Sequence, residues 1–238
     1  MNSTDKQIRL SESQVDAFYH TDFVDDQVRD FLDLTARHVL DGVVVDIDGG
    51  VGHFADRLAG AEDIETRVID TDPISITRCK TRGLDALLGD ALSPPFIGDG
   101  QAASFNLVLH HLVGSNEQAT RRLQVQALRV WLDKARFLFV QEYIYESYIG
   151  YVSGRLIFAI TSSQLLSALG SIVAQVIPAF RANTFGTGVR FRAHQEWKAL
   201  FTEADFQVAD ARIGRWSCDN GYAGQPGQGS VQHCSYQA

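Results

Sequence analysis

Carboxylates and glycines stand together where the apolar run Val43–Ile47 ends, in the segment Asp-Ile-Asp-Gly-Gly-Val-Gly at 46–52. An acid at the end of a buried strand is costly unless something there needs it. Gly50 and Gly52 remove side chains where a backbone must approach a ligand, and a following helix presents free N–H groups to a carboxylate or phosphate. The segment therefore predicts a ligand-binding loop.

Two further acids follow other apolar runs at a spacing that suits a nucleoside. Asp70 lies 18 residues after Gly52, at a distance suited to accepting hydrogen bonds from both ribose hydroxyls. Asp90, in the sequence Gly-Asp-Ala at 89–91, is placed to accept from an exocyclic amine. Together with the loop, these acids predict a carrier that contains adenosine.

Three polar residues are candidates for chemistry on a second substrate. His110 and His111 are predicted to end a fourth strand and Glu142 a fifth, at the sheet edge where ligands of open α/β sheets bind. A histidine there can act as a general base near neutral pH. The alternatives are structural histidines and a glutamate that only caps or pairs locally.

Neither a metal site nor a disulfide framework is expected. Cys218, His233 and Cys234 lack the compact spacing of zinc ligands, and no paired carboxylates close the predicted fourth and fifth strands. Three widely spaced cysteines without a Cys-x-x-Cys pair indicate a reducing, cytoplasmic setting. Residues 1–16 are polar and show no signal peptide.

The elements that must position these residues alternate along the chain. Strands are predicted at Val43–Ile47, Thr66–Asp70, Leu84–Leu88, Phe105–His110 and Phe137–Glu142. Helices are predicted at Phe23–Leu40, His53–Ala59, Pro73–Arg82, from a capping box at Ser115 to about Trp131, and His194–Glu203. The alternation predicts an α/β protein with a doubly wound, mostly parallel sheet.

Beyond Glu142 the alternation stops. We predict one or two apolar helices over Tyr143–Phe180, inserted after the fifth strand, and two strands at Phe206–Trp216 and Val231–Tyr236 that form an antiparallel hairpin at one edge of the sheet. The whole chain is predicted to be a single domain, with an N-terminal helical segment (1–42), a ligand-binding core (43–142), a helical cover (143–193) and a C-terminal helix and hairpin (194–238).

Composition limits the class of protein. The chain is 45% hydrophobic and 21% charged with a net charge of −8, which excludes a disordered protein and makes nucleic acid an improbable partner. Residues 156–180 lack charge but contain many Ser, Thr and Gln residues, which favours a buried helix over a membrane span. Apolar residues at 165–177 form a helical stripe that is either core, a homodimer face, or a lid over an apolar acceptor. Arg181, Arg190 and Arg192 beside it either neutralise an acidic acceptor or are solvated.

In their order along the chain, these motifs resemble the class I S-adenosylmethionine-dependent methyltransferases. Residues 46–52 resemble that family's acid-x-Gly-x-Gly-x-Gly loop, 68–73 its ribose-binding strand end, 89–91 its adenine segment and 105–111 its fourth strand. Residues 128–140 resemble its fifth helix and strand, and the match extends over roughly 41–208. The chain departs from the pattern at Asp48, which replaces the first loop glycine, and at Asn106, which replaces a common aspartate.

The resemblance implies a site for S-adenosylmethionine and transfer of its methyl group to oxygen or nitrogen of a small-molecule acceptor. His110, His111 and Glu142 would lie beside the acceptor. The residues implied to bind the cofactor are Asp46, Asp48, Gly49, Gly50, Gly52, Asp70, Thr71, Asp90 and Ala91.

Two other classes remain open. Residues 50–55 with Asp70 also fit the dinucleotide fingerprint of NAD-dependent Rossmann oxidoreductases, although such enzymes do not need Asp46 and the chain has no Tyr-x-x-x-Lys pair. The third class is a non-catalytic, methyltransferase-like binding protein whose loop is altered by Asp48.

Overall fold

Seven strands form one sheet in the computed structural model of the chain, which describes residues 21–62, 64–95, 100–145, 189–215 and 231–237. The strands are β1 Val43–Ile47, β2 Thr66–Asp70, β3 Asp85–Leu88, β4 Gly100–Asn106, β5 Phe137–Tyr145, β6 Asp210–Arg215 and β7 Val231–Gln237. Their order across the sheet is β3-β2-β1-β4-β5-β7-β6. The strands β1 to β5 are parallel, and β7 is antiparallel to both β5 and β6.

Helices cover both faces of the sheet. The described helices are α1 Thr21–Thr35, α2 His53–Glu62, α3 Pro73–Thr81, α4 Glu117–Arg129 and α5 His194–Glu203. A single 3-10 turn, Leu109–His111, lies between β4 and α4. The chain winds outward from β1 in one direction to β3 and then crosses back to β4, so β1 and β4 are neighbours whose connections leave on opposite sides. Such a switch point opens a crevice at the carboxyl ends of the strands.

Side chains of the central strands alternate between the two faces of the sheet and build a separate apolar core on each. Val44, Phe137 and Phe139 pack with residues of α1 and α2 on one face. Val45 and Leu138 point to the other face, where they join the larger core beneath α4 and α5. Because side chains of a strand alternate between faces, the nearly continuous apolar runs of β1 and β5 are what a sheet covered on both sides requires.

The predicted fold class is confirmed: the sheet is doubly wound and mostly parallel, and β6 and β7 form an antiparallel hairpin at one edge. The bounds predicted for β1, β2 and α5 are those observed. The predicted helical insertion after the fifth strand, with its stripe at 165–177, falls almost wholly outside the described residues, as do Arg181 and Cys218. The proposed subdivision of a single domain stays a prediction.

The prediction for the fourth strand was wrong at both ends, since β4 begins at Gly100 and ends at Asn106 instead of running from Phe105 to His110. Leu107 ends it with a left-handed backbone (φ 59°), and its N–H donates to the carbonyl of Gln141. The apolar residues Val108 and Leu109 that follow are buried, but the chain there forms a 3-10 turn. They therefore contribute to the core without an extended backbone.

Several other bounds differ from the predictions for local reasons. The first helix ends at Thr35, not at Leu40, and is followed by exposed residues that include Val39. Asn116, not Ser115, caps α4 by accepting from the N–H of Ala119, and that helix ends at Arg129. Residues 143–145 extend β5 instead of starting a helix, because β7 pairs with them. The strand predicted at 206–216 is confined to 210–215.

Candidate active site

Hydrogen bonds from β2, α3 and Arg82 hold the loop between β1 and α2 in place. The N–H of Asp48 donates to the carbonyl of Ile69 (2.7 Å), and the N–H of Gly50 donates to Oδ2 of Asp70 (2.8 Å). From α3, the Cys79 thiol donates to the carbonyl of Gly50 (3.4 Å). Arg82, which follows α3, donates to the carbonyl of Val51 (2.9 Å). The loop is therefore fixed in place by β2 and α3.

Backbone conformation explains the glycines and exposes one exception. Asp48, Gly50 and Gly52 have φ values of 58°, 56° and 78°, in the left-handed region that favours glycine. A Cβ on Gly52 would also lie 2.6 Å from Cδ1 of Leu84, so this position needs glycine for packing as well. Asp48 is the one residue with a side chain among the three.

Gly49 is required for a different reason, because its Cα lies against the side chain of Asp46. A Cβ there would lie 2.6 Å from Cγ of Asp46, inside van der Waals contact. We expect Gly49→Ala to lower the free energy of unfolding by about 1–3 kcal/mol, the usual cost of overpacking. Gly60 is the matched control, since a Cβ there meets nothing within 4 Å and its helical position favours alanine by about 0.5–1 kcal/mol. Urea denaturation of both variants tests this; equal stabilities would contradict the close approach.

Asp46 is a buried carboxyl that the protein only partly satisfies. It is 1% exposed, and its Oδ1 accepts from Nδ2 of Asn106 (3.2 Å), which also donates to Oγ of Ser104. Within the described residues, its Oδ2 has no hydrogen-bond partner. Burial raises the pKa of Asp46 to about 7 against the lowering effect of the Asn106 hydrogen bond, and the charge of Asp70 raises it further.

Three more carboxyls lie near Asp46 at the same edge of the sheet. Asp70, 7% exposed, ends β2 and accepts from the N–H groups of Gly50 and Asp72. Oδ1 of Asp90 accepts from the N–H of Leu92 (2.8 Å). The pKa of the half-buried Asp48 lies well above its usual range, first because of burial and then because of Asp70, Asp90 and Asp46. The sequence prediction that these acids meet at one edge agrees with this arrangement.

His110 and Glu142 form a buried pair on the other side of the switch point. Nδ1 of His110 lies 2.8 Å from Oε2 of Glu142, and Oε1 of Glu142 accepts from the N–H of Leu109 (2.6 Å). Burial lowers the pKa of His110 to about 3 and raises that of Glu142 to about 8. At neutral pH the favoured state is a neutral imidazole beside a protonated carboxyl, so the pair carries no net charge.

His111 has a more open position than His110. Its ring packs at 4.1 Å from that of His110, and the side chain is only half-buried. Burial, together with His110, lowers the pKa of His111 to about 3 despite the opposing effect of Glu142. Phe191 stacks on His110 at 5.1 Å, and Tyr143 meets both rings edge to face. The surroundings of the histidines are thus aromatic and largely uncharged.

A network of hydrogen bonds fixes the backbone of the turn that carries the histidines. Nε2 of Gln124 donates to the carbonyl of Leu109 (2.8 Å), and the N–H of Arg190 donates to the carbonyl of His110 (2.9 Å). With the Leu109–Glu142 bond, three backbone groups of the turn have defined partners. These hydrogen bonds hold the two imidazoles at the carboxyl edge of the sheet, although His110 and His111 lie outside β4.

Arg190 and Arg192 are buried, at 0% and 1% exposure, which corrects both sequence interpretations of them. Glu117 accepts from both arginines (2.7 and 2.9 Å), and Arg190 also bonds Glu196 (2.7 Å). Burial opposes the ionisation of Glu117, but the hydrogen bonds and charges of the two arginines outweigh it and lower its pKa. The arginines are committed to internal carboxylates and are not positioned to neutralise an acidic acceptor.

The predicted site residues thus form two groups at one edge of the sheet. Asp46, with the loop, Asp70 and Asp90, forms the first, and Thr71 directly follows Asp70. The side chain of Ala91 packs into the core beneath this edge. His110, His111 and Glu142 form the second, and Asn106 lies between the groups through its bond to Asp46.

Sequence reasoning missed the residues that support the second group. Tyr143 and Phe191 contribute rings, and Gln124 contributes the amide that binds the turn. One signal was present: Gln124 lies among the mostly apolar residues of one face of α4, and a polar side chain buried on such a face implies a specific partner.

Comparison with known proteins gives the class of fold. The sequence matches no protein-family model and none of the curated proteins. A solved S-adenosylmethionine-dependent methyltransferase from Thermotoga maritima matches with a TM-score of 0.57 and 15% identity, over 95% of this chain and 97% of that one. The chain therefore has the fold of class I S-adenosylmethionine-dependent methyltransferases.

Structures named for small-molecule chemistry are also similar. The [4+2]-cyclase SpnF matches at TM-score 0.53 and 21% identity, over 79% of this chain, which spans 61% of that protein. The mitomycin 7-O-methyltransferase MmcR matches at TM-score 0.51 and 16% identity, over 89% of this chain and 53% of that one.

Separately, no helix in the described ranges has the length and apolar character to cross a membrane.

Proposed function

We propose that the chain binds S-adenosylmethionine at the 46–52 loop and transfers its methyl group to a small molecule. The observation that carries this proposal is the buried Oδ2 of Asp46, which has no hydrogen-bond partner among the described residues. Asp46 is 1% exposed. It lies next to the loop whose left-handed residues include Gly50, and the N–H of Gly50 donates to Asp70. Leaving a buried carboxylate oxygen without a partner is costly, which favours a ligand that supplies positive charge or hydrogen-bond donors at this place.

Each acid has a proposed part in holding the cofactor. Asp70, which ends β2 and binds the N–H of Gly50 in the loop, accepts from the ribose hydroxyls. Asp90, beyond β3, accepts from the adenine amine. Asp46 and Asp48 balance the positive charge of the sulfonium and ammonium groups.

When bound, S-adenosylmethionine supplies a methyl group whose bond to sulfur breaks with the electron pair left on sulfur, while a lone pair of the acceptor forms the new bond to carbon. The protein aligns the acceptor, excludes water and receives the acceptor's proton where one is lost. His111 is the proposed recipient, since its side chain is only half-buried. Because burial lowers its pKa, His111 takes up a proton only from an acceptor that methylation has made strongly acidic. His110 and Glu142 are proposed to hold it in position.

The proposed acceptor is uncharged and aromatic or apolar. Aromatic rings of His110, Tyr143 and Phe191 surround the histidine turn, and the His110–Glu142 pair contributes no net charge at neutral pH. A charged acceptor would lose hydration there without gaining a partner. The proposed acceptor atom is an oxygen or a nitrogen that carries a proton, because only such an acceptor has a proton for His111 to receive.

Cofactor binding is expected to depend on pH through Asp46. Because its pKa is raised to about 7, Asp46 is increasingly protonated below that pH and loses attraction for a cation. We expect the Kd for S-adenosylmethionine to rise by up to about tenfold per pH unit below 7 and to level off above it. Isothermal titration calorimetry between about pH 5.5 and about 8 measures this, and two buffers of different ionisation enthalpy reveal the proton released.

Asp46→Asn is the control for that experiment, since it keeps the side-chain shape and removes the titration. Its Kd should be weaker at high pH and should vary less with pH than that of the wild type. A wild-type Kd that is flat across the range would contradict the assignment of Asp46 as the titrating group.

Transfer of an isotopically labelled methyl group tests the proposed activity. The protein is incubated with methyl-labelled S-adenosylmethionine and a panel of uncharged phenols and aromatic amines, with charged analogues of the same rings as controls. The proposal predicts labelled product and S-adenosylhomocysteine from uncharged members of the panel. Preferential labelling of the charged analogues would contradict the proposed acceptor class.

A further inference from the structure

Gln124 of α4 is a fully buried amide whose two ends bind different parts of the chain. Its Oε1 accepts from Nε and an Nη atom of Arg192 (2.8 and 2.7 Å), and its Nε2 donates to the carbonyl of Leu109 (2.8 Å). Arg192 lies just before α5, and Leu109 begins the 3-10 turn that carries the two histidines. Gln124 therefore connects that turn to a buried cation.

The chemistry of its two partners fixes which way round the Gln124 amide lies. A guanidinium has donors and no acceptor, so the atom that faces Arg192 is the amide oxygen. The carbonyl of Leu109 is an acceptor, so the atom that faces it is the amide nitrogen. Arg192 is 1% exposed and is itself held by Glu117 (2.9 Å). Reversing the amide would break all three hydrogen bonds.

Hydrogen bonds continue from Leu109 to the imidazole of His110. The N–H of Leu109 donates to Oε1 of Glu142 (2.6 Å), and Oε2 of Glu142 lies 2.8 Å from Nδ1 of His110. Gln124 binds the carbonyl of Leu109, and Glu142 binds its N–H. Because Leu109 directs one oxygen of Glu142, a displacement of Leu109 also moves the oxygen that faces His110.

We infer that Gln124 is a positioning residue which, oriented by Arg192, holds Glu142 against Nδ1 of His110 and so keeps that ring in a single tautomer. The hydrogen bond at one ring nitrogen determines which nitrogen carries the proton. A fixed contact therefore selects one tautomer whether the proton between Oε2 and Nδ1 lies on the carboxyl or on the ring.

The inference deepens the proposed function and rests on it in one respect. His110 and Glu142 are proposed there to position His111, the recipient of the acceptor's proton. The ring of His111 packs at 4.1 Å from that of His110, so a ring of His110 that changes tautomer and orientation also displaces His111. A glutamine that served the fold alone would affect stability and leave the tautomer unchanged.

Gln124→Glu, made in the whole chain and studied at neutral pH, tests the inference. With Arg192 beside it, the new carboxyl is ionised; it accepts from Arg192 but has no donor for Leu109. Gln126→Glu is the matched control, since Gln126 is an exposed residue of the same helix and its replacement changes the net charge equally. The readout is the separation between the nitrogen NMR chemical shifts of Nδ1 and Nε2 of His110, assigned by the loss of those signals in His110→Asn. This separation is wide for a single tautomer and narrows when two tautomers interconvert, and its measurement requires no cofactor.

We expect a wide separation in the wild type and in Gln126→Glu, and its loss in Gln124→Glu. The inference is overturned if Gln124→Glu keeps the wild-type separation, if Gln126→Glu loses it equally, or if the wild type already shows two tautomers. If a thermal melt shows that Gln124→Glu does not fold, Gln124→Asn takes its place, because its shorter side chain keeps the amide but does not reach both partners.

Transfer of a labelled methyl group to an uncharged phenol extends the test to the reaction. We expect the kcat of Gln124→Glu to fall by about tenfold to a hundredfold, the scale of a small misplacement at a reacting centre. The Kd for S-adenosylmethionine should not change, since Gln124 lies outside the loop. A wild-type kcat in a variant that has lost the single tautomer would overturn the positioning role. If the wild type transfers no label, the proposed function fails, and the NMR comparison decides the role of Gln124 by itself.

Discussion

Replacing Arg192 with methionine is expected to lower the free energy of unfolding by about 3–5 kcal/mol, the usual cost of removing one partner of a buried ion pair. Nε and an Nη atom of Arg192 donate to Oε1 of Gln124 (2.8 and 2.7 Å), and the other Nη atom donates to Glu117. Methionine fills similar space without donors, so Glu117 loses one of its two cations and Gln124 loses both donors. Chemical denaturation monitored by fluorescence measures the change.

Arg136→Met is the matched control, since Arg136 pairs with Asp41 at 3.4 Å and both side chains are about two-thirds exposed (67% and 65%). A pair of this kind is worth at most about 1 kcal/mol. Arg192→Lys should fall between the two, because an ammonium cannot reproduce the planar donors of guanidinium. If Arg192→Met costs no more than Arg136→Met, the buried ion pairs of Arg192 do not stabilise the fold.

Asp70→Ala is expected to weaken binding of S-adenosylmethionine by about 1–3 kcal/mol, the range for losing charged hydrogen bonds to a ligand. Asp70 also accepts from the N–H groups of Gly50 and Asp72, so its removal loosens the loop as well as the proposed ribose contact. Calorimetry gives the Kd, and a thermal melt without ligand reports the loss of folding stability separately.

Asp70→Asn divides these contributions, because it keeps one carbonyl oxygen for a backbone donor and removes the charge. We expect its affinity to lie between those of the wild type and Asp70→Ala. A folded Asp70→Ala protein whose Kd equals that of the wild type would exclude a ribose contact at this residue.

The central strands could be predicted because burial on both faces imposes a simple pattern. β1 is a short, mostly apolar run and β2 has a buried Val68-Ile69 pair before Asp70, and the observed bounds of both strands are the predicted ones. The run after β4 obeys the same rule of burial, yet Leu107 adopts a left-handed backbone and the next residues coil. An apolar run indicates that a segment is buried, but it does not determine whether the backbone is extended.

Those parts of the candidate site that lie at the ends of neighbouring parallel strands could be predicted from the sequence. Asp46 and Asp70 meet because the carboxyl ends of parallel neighbouring strands lie together, and their pairing follows from strand order. The burial of Arg190 was not predictable, because it depends on Glu117, which is 73 residues away in the sequence. Charge in a local sequence window favours exposure, and only tertiary partners reverse that expectation.

Binding of S-adenosylhomocysteine to the purified wild-type protein tests the central claim most directly, with NAD⁺ titrated under the same conditions by isothermal titration calorimetry. The account predicts saturable, one-to-one binding of S-adenosylhomocysteine that Asp70→Ala weakens, and no saturable binding of NAD⁺. Binding of NAD⁺ without S-adenosylhomocysteine would contradict it in favour of a dinucleotide site at the same loop. Saturable binding of neither ligand would contradict any cofactor function for the loop.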